Sequence, residues 1–333
     1  MPIRVVQFGL GPIGMAVVRR VAARKDLKLV GAVDVDPAKV GRDLGELAEV
    51  GRKLGVKVSA DADAVLKSSK PDVVLHTTGS SLRKVVDQLY AVFARKVPVV
   101  STTEELSFPW YSQAVLAKKI DAAARKAKVA VLGTGVNPGF TMDALPIMLS
   151  VVCERVDSVF INRIQDASIR RLPFQKKIGA GLTPMQFQER VDGGTVRHVG
   201  LTESIAMIAA AFGWKLDRVT DEIGPKVATK RVSSQFLTVE PGQVCGLIQE
   251  GTGFVGGKPL IRLHMEAYLG APESYDSVTI EGSPRIEEKI SGGIHGDVAT
   301  VSMVVNSIPK VLAASPGLHT MRDLALPSYF PLK

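Results

Sequence analysis

Ile3-Arg4-Val5-Val6-Gln7-Phe8-Gly9-Leu10-Gly11-Pro12-Ile13-Gly14 is the stretch that decides the fold. Ile3, Val5, Val6 and Phe8 form a short apolar run that reads as a buried strand. The residues after Gly14 follow a helical period, with Met15, Val17, Val18, Val21 and Ala22 on the apolar side. A second apolar run, Leu27 to Val33, ends at Asp34. In such a strand–turn–helix, Gly9 permits the tight turn and Gly11 lets backbone approach a pyrophosphate. Gly14 lets helix and sheet pack closely. Leu10, Pro12 and Ile13 complete the loop, and Pro12 sits where a helix has no use for its N–H. The helix start offers N–H groups and a positive dipole to phosphates. Asp34 follows Gly14 by about 20 residues, where a carboxylate can bind the ribose diol of NAD. The stretch therefore predicts a dinucleotide site.

Working outward, residues 1–135 alternate strand and helix, which predicts a doubly wound parallel sheet of Rossmann type. Strands are expected near Val56–Ser59, Val73–His76, Val97–Val100 and Val129–Leu132. Helices are expected over Ala62–Lys67, Leu82–Ala94 and from Pro109 to about Lys126. The pattern then changes. A helix near Met142–Val151 precedes a strand over Asp157–Ile164, and the polar stretch Arg163–Pro184 is long for a simple connection. Helices follow over Pro184–Val191 and Leu201–Phe212, then several strands of a mixed or antiparallel sheet over 216–282, then a last helix, Val298–Leu312. The expected division is a dinucleotide-binding domain, 1–140, to which 298–333 returns. The second, α+β domain covers 141–297 and serves substrate binding and dimerisation.

Composition narrows the function classes. Of the 333 residues, 46% are hydrophobic and 23% charged, an ordinary globular balance. No apolar run reaches the ~18 residues of a membrane span. The first strand begins too early for a signal peptide, and two cysteines, Cys153 and Cys245, make no disulfide framework or metal spacing. Both thiols are expected buried, and the compartment cytoplasmic. The net charge of +9 is scattered, apart from pairs such as Arg170-Arg171 and Lys176-Lys177, so it favours anionic cofactors or substrates over nucleic acid. His198, His264 and His295 are isolated, and no metal is argued.

In an open α/β sheet, ligands bind beyond the carboxyl ends of the strands. Four loops meet that description: Gly9–Gly14, Thr77–Ser81, Ser101–Glu105 and Gly133–Phe140. Thr77, Thr78 and Gly79 can meet the cofactor's phosphate or nicotinamide ribose, or can form an ordinary turn into the next helix, with Ser81 as its N-cap. Glu104 is a carboxylate near the nicotinamide, or one of two solvated acids. Spacing does not say whether Glu104 or Glu105 points inward. Asn137 can hold the nicotinamide amide or simply belong to a turn, and Phe140 can wall the substrate pocket.

The chain resembles the native amine dehydrogenases and 2,4-diaminopentanoate dehydrogenases, relatives of dihydrodipicolinate reductase. The resemblance runs through the glycine loop, Ala32–Asp36, Ser101-Thr102-Thr103-Glu104-Glu105-Leu106, Asn137–Asp143, Arg163–Ala167 and His198–Ser204. It implies NAD- or NADP-dependent reductive amination of a small ketone, aldehyde or amino-keto acid with ammonia. It makes Glu104 the catalytic carboxylate, and it places Phe140, Thr141, Arg163, His198 and Thr300 along the substrate pocket. The alternative is an imine reductase like dihydrodipicolinate reductase, acting without ammonia. That family's paired-histidine and lysine motif is missing from Ser168–Lys177, which argues against it.

Overall fold

Val5, Val6, Val73, Val74, Val99, Val100, Val131 and Leu132 are almost wholly excluded from solvent. Such apolar runs can be satisfied only in a sheet covered on both faces. In the computed structural model, which describes residues 1–329, they form a seven-stranded parallel sheet. Its order is Gly317–His319, Ala130–Gly133, Val99–Ser101, Val73–His76, Ile3–Phe8, Leu27–Val33 and Val58–Ser59. Every pairing is parallel. Helices Ala62–Ser69, Leu82–Ala94 and Ala114–Ala127 supply Leu66, Leu89, Val92, Ile120 and Ala124 to a core shared with the strands. The chain order reverses between Ile3–Phe8 and Val73–His76, so the nucleotide crevice of this sheet lies beyond Phe8 and His76.

This sheet belongs to a unit made of Met1–Phe140 and the chain from His295 onward. Helix Gly296–Asn306 packs on helix Pro12–Ala22. Residues 330–333, the end of the segment expected to return here, lie outside the described residues. The second unit is Thr141–Ile294. Its six-stranded mixed sheet runs Ile286–Ser291, Tyr275–Ser283, Arg155–Asp166, Lys258–Tyr268, Val244–Val255 and Arg218–Val227. Only Arg155–Asp166 with Lys258–Tyr268 is a parallel pair in this sheet. Helix Leu201–Ala211 covers one face, and a Cβ at Gly253 would lie 2.6 Å from Ile205, so glycine lets the helix seat.

Several expectations need correction. The helix expected from Pro109 starts at Ala114. Before it, Phe108 and Pro109 are buried in a turn closed by a bond from Gln113 N to Pro109 O, 2.9 Å. The last helix is two, Gly296–Asn306 and Ile308–Ala313. Pro309 cannot donate an intrahelical bond and fits only the first turn of a new helix. Gly317–His319 and Ile286–Ser291 are edge strands outside the expected set, the first too short to show a period. Cys245 is buried as expected, but Cys153 is half-exposed at the end of a short turn.

Candidate active site

The glycine loop is held from below. Gly9 has φ +92°, and a Cβ there would lie 2.6 Å from the Thr77 carbonyl oxygen. A Cβ at Gly14 would lie 2.0 Å from the Gly9 carbonyl oxygen. That carbonyl accepts from Gln7 Nε2 at 2.9 Å and from the Thr77 hydroxyl at 2.9 Å, and Gln7 Nε2 also reaches Thr77 Oγ1 at 2.8 Å. Gln7 is fully buried, a polar side chain spent on shaping the loop. Above the loop the situation reverses. A Cβ at Gly11 would meet nothing within 4 Å, and helix Pro12–Ala22 starts with no side-chain cap. Its first N–H groups are therefore available to an anion, and the opening over Gly11 fits a dinucleotide pyrophosphate.

Asp34 sits beside this loop with defined duties. Its Oδ2 accepts from Leu10 N at 2.6 Å and its Oδ1 from Asp36 N at 2.9 Å. Lys39 Nζ lies 3.6 Å from Asp34 Oδ2 and 3.1 Å from Asp36 Oδ2. The carboxylate thus stands at the crevice edge beside a lysine that offsets part of its charge.

The next two strand ends form a polar chain that runs from buried His76, Ser101 and Thr103 out to exposed Thr78. His76 Nδ1 is 2.9 Å from Ser101 Oγ, and His76 Nε2 is 2.8 Å from Gln88 Oε1 and 2.9 Å from Thr78 Oγ1. The Thr78 hydroxyl donates to Gln88 Oε1 at 2.6 Å. Ser101 Oγ lies 3.0 Å from Thr103 Oγ1, which donates to the Gly79 carbonyl at 2.9 Å. Burial pushes the His76 pKa down to about 4, so the imidazole is neutral at pH 7. Of the two residues read from sequence as cofactor contacts, the Thr77 hydroxyl donates to the Gly9 carbonyl beneath the loop, while Thr78 is exposed and donates to Gln88 Oε1 at the surface. These bonds hold the two loops, and Thr78 and Gly79 are both exposed at the rim.

Glu104–Leu106 is a single 3-10 turn after strand Val99–Ser101. Glu105 Oε2 accepts from Leu82 N at 2.7 Å and from Gln113 Nε2 at 2.7 Å. Ser81, at the N-cap of helix Leu82–Ala94, supplies no side-chain cap, and Glu105 takes that task. Glu104 is half-buried, and its carbonyl accepts from Ser107 Oγ at 2.7 Å. In the fourth loop Asn137 is 8% exposed, Phe140 is half-buried, and Thr300 on helix Gly296–Asn306 faces Gly135, whose Cβ would lie 3.9 Å from it.

The remaining residues belong to the second unit. Thr141 is buried. Arg163 is 2% exposed, ion-paired with Asp276, and donates from Nη2 to Ile294 O at 2.8 Å. Asp276 also accepts from Ile294 N at 2.7 Å, so the pair clamps that backbone. Both terminal nitrogens of the Arg163 guanidinium are thus engaged within the unit. The backbone of His198 is gripped on both sides by buried Gln249, with N to Oε1 at 3.0 Å and Nε2 to O at 2.9 Å. Gln249 Nε2 also donates to Asp221 at 2.7 Å. Ser168–Lys177, where a histidine pair is missing, is closed around buried Gln175, which donates to the carbonyls of Ala167 at 3.0 Å and Arg170 at 2.8 Å. Sequence reasoning passed over Gln7, His76 and Gln113. For Gln7 and His76 the available signal was a polar residue in an apolar strand directly before a ligand loop; Gln113, at a helix N-cap, carried no such signal.

Comparison with known proteins gives this geometry a family. The model "dihydrodipicolinate reductase, N-terminus" matches residues 3–132, and "2,4-diaminopentanoate dehydrogenase C-terminal domain" matches residues 140–331. The chain is 34% identical to 2,4-diaminopentanoate dehydrogenase of Acetoanaerobium sticklandii, over 98% of this chain and 94% of the relative. It is 28% identical to an amine dehydrogenase of Streptomyces virginiae, over 97% and 96%. The structure of amine dehydrogenase from Mycobacterium smegmatis superposes with a TM-score of 0.87 at 27% identity, covering 100% of this chain and 99% of that one. The chain therefore belongs to the 2,4-diaminopentanoate dehydrogenase and amine dehydrogenase family, oxidoreductases acting on CH–NH2 donors.

Proposed function

We propose that this protein carries out NAD(P)-dependent, reversible reductive amination of a small ketone, aldehyde or amino-keto acid with ammonia. One observation carries the proposal furthest. In a chain aligned end to end with a 2,4-diaminopentanoate dehydrogenase, an acidic turn stands at the carboxyl end of the same sheet whose glycine loop is open for a dinucleotide.

When bound, the nicotinamide cofactor supplies the hydride. The residues Gly9–Gly14 would hold its pyrophosphate and Asp34 its adenosine ribose. Thr77, Thr78 and Gly79 act from the rim, and Asn137 near the amide. Glu104 would hold ammonium, take up a proton as ammonia adds to the carbonyl, and stabilise the cationic iminium. A carboxylate fixed beside a developing cation in a water-poor site lowers the barrier electrostatically. Phe140 would wall the organic group, with Thr141 and Thr300 near it. Arg163 and His198 would act as supports, since their guanidinium and backbone are already engaged.

Asp34 favours NAD, and Lys39 tempers that preference, so both cofactors are expected to be used. The open face of the six-stranded sheet, where Phe160 is 40% exposed in register with Arg262 and Thr279, is assigned to a homodimer. Light scattering checks that state. Among the described residues no helix is long and apolar enough to cross a membrane. A cytoplasmic location is part of the same proposal.

The test mixes the purified protein with NADH or NADPH, ammonium and a carbonyl panel that includes 2-amino-4-oxopentanoate. Each well has a twin without ammonium. Ammonium-dependent loss of the reduced nicotinamide band is the expected result. Oxidation indifferent to ammonium would instead support the imine reductase reading.

A further inference from the structure

The geometry points to Glu105 as a positioning residue, one that sets the direction of Glu104 without touching substrate. This rests on the reading of Glu104 as the carboxylate of the amine site. A 3-10 helix has three residues per turn, so the side chains of Glu104 and Glu105 leave the backbone about 120° apart. Holding Glu105 therefore holds the backbone direction from which Glu104 departs. Glu105 is fixed by three bonds from two segments, Ser80–Leu82 and Gln113. Its Oε2 receives Leu82 N, at the start of helix Leu82–Ala94, and Gln113 Nε2, at the N-cap of helix Ala114–Ala127, each at 2.7 Å. Its own N–H donates to Ser80 O at 3.3 Å.

The turn has little freedom to compensate. Leu106 is fully buried, and a Cβ on Gly133 would lie 2.5 Å from its carbonyl carbon. Thr103, just before the turn, is tied to Gly79 O at 2.9 Å. Gln113 has a further stake, because its Oε1 is buried without a hydrogen-bond partner among the described residues and its amide is oriented by the bond to Glu105. Turning the 3-10 helix to exchange the two acids would uncap one helix and strand that glutamine. The adjacent acids are thus not interchangeable: Glu105 is the strut, and Glu104 is the acid it positions.

The test uses the full-length protein with Glu105→Ala, Glu105→Gln, Glu104→Ala and the double alanine variant. Glutamine keeps an acceptor oxygen for Leu82 N and serves as the conservative rescue. Crystal structures of the first two provide a readout independent of activity. The expected result is a displaced Glu104 carboxylate in Glu105→Ala and a superposable one in Glu105→Gln. An unmoved Glu104 in Glu105→Ala overturns the inference, whether or not the wild type turns over amines. In kinetics, Glu105→Ala should lower kcat by about 10- to 100-fold, the scale of an ångström-sized misplacement, with KM for NADH nearly unchanged. Glu105→Gln should stay within about three-fold, and the double variant should be no slower than Glu104→Ala, because residues acting as one unit are not additive. Effects that multiply in the double variant, or a Glu105→Ala enzyme that melts earlier but keeps the wild-type kcat, overturn it. A wild type with no ammonium-dependent turnover counts against the proposed function alone, and the structures still decide the role of Glu105.

Discussion

The two units use buried polar side chains in opposite ways. In the first, Gln7 is linked to Thr77, and His76 to Ser101 and Thr103, beneath loops of which the glycine loop is open at Gly11. In the second, Arg163 with Asp276, and Gln249 with Asp221 and the His198 backbone, close on themselves. The first arrangement shapes loop backbone from beneath. The second holds a sheet and its connections together. Chemistry-bearing residue types occur in both, so the type alone does not separate a site from a support. What separates them is whether the surrounding backbone leaves a side free.

That contrast can be broken by substitution. The largest effect is expected in the second unit and on stability. Arg163→Ala leaves Asp276 buried without its partner, and breaking such a pair costs about 3–5 kcal/mol. Denaturant unfolding reads this, and the double change Arg163→Met with Asp276→Leu should recover most of it. Recovery of stability with loss of turnover would move Arg163 back to the substrate. Next comes Glu104→Gln, expected to keep the stability and the NADH affinity while lowering kcat by about 10²–10³-fold, the scale for losing one electrostatic stabiliser. A kcat within a factor of a few of the wild type would remove Glu104 from the mechanism.

A third experiment follows pH. Burial holds the His76 pKa near 4 against an ordinary 6.5, so between those values the unfolded chain takes a proton that the folded one refuses. Stability from this group is fully present above pH 6.5 and falls as pH drops toward 4, by up to about 3 kcal/mol. A variant with His76→Gln should show a flatter profile over that window, and an unchanged slope would place the proton elsewhere. The smallest effect is on cofactor choice. Asp34→Asn keeps an acceptor for Leu10 N but removes the charge that repels a 2′-phosphate. The NADPH-to-NADH ratio of kcat/KM should rise about ten-fold, or ~1.4 kcal/mol. No change would mean that Lys39 already cancels the charge of Asp34.

The sequence by itself determined the parallel sheet and the glycine loop, and it nominated the loops proposed to carry the chemistry. Each rests on a local pattern: a period, a turn residue, or an acid at the end of a strand. Leu82–Ala94 and Val73–His76 were legible to the residue for that reason. The tertiary structure decided the rest. Which of two adjacent glutamates is a strut depends on Leu82 and Gln113, distant enough in sequence that no local pattern records the contact. Arg163 is a clamp because Asp276, 113 positions away, lies beside it on the neighbouring strand. Edge strand Gly317–His319 exists because Ala130–Gly133 offers it a hydrogen-bonding edge, although three residues show no period of their own. Periodicity is written along the chain. Burial and pairing between distant residues arise only once the chain has folded.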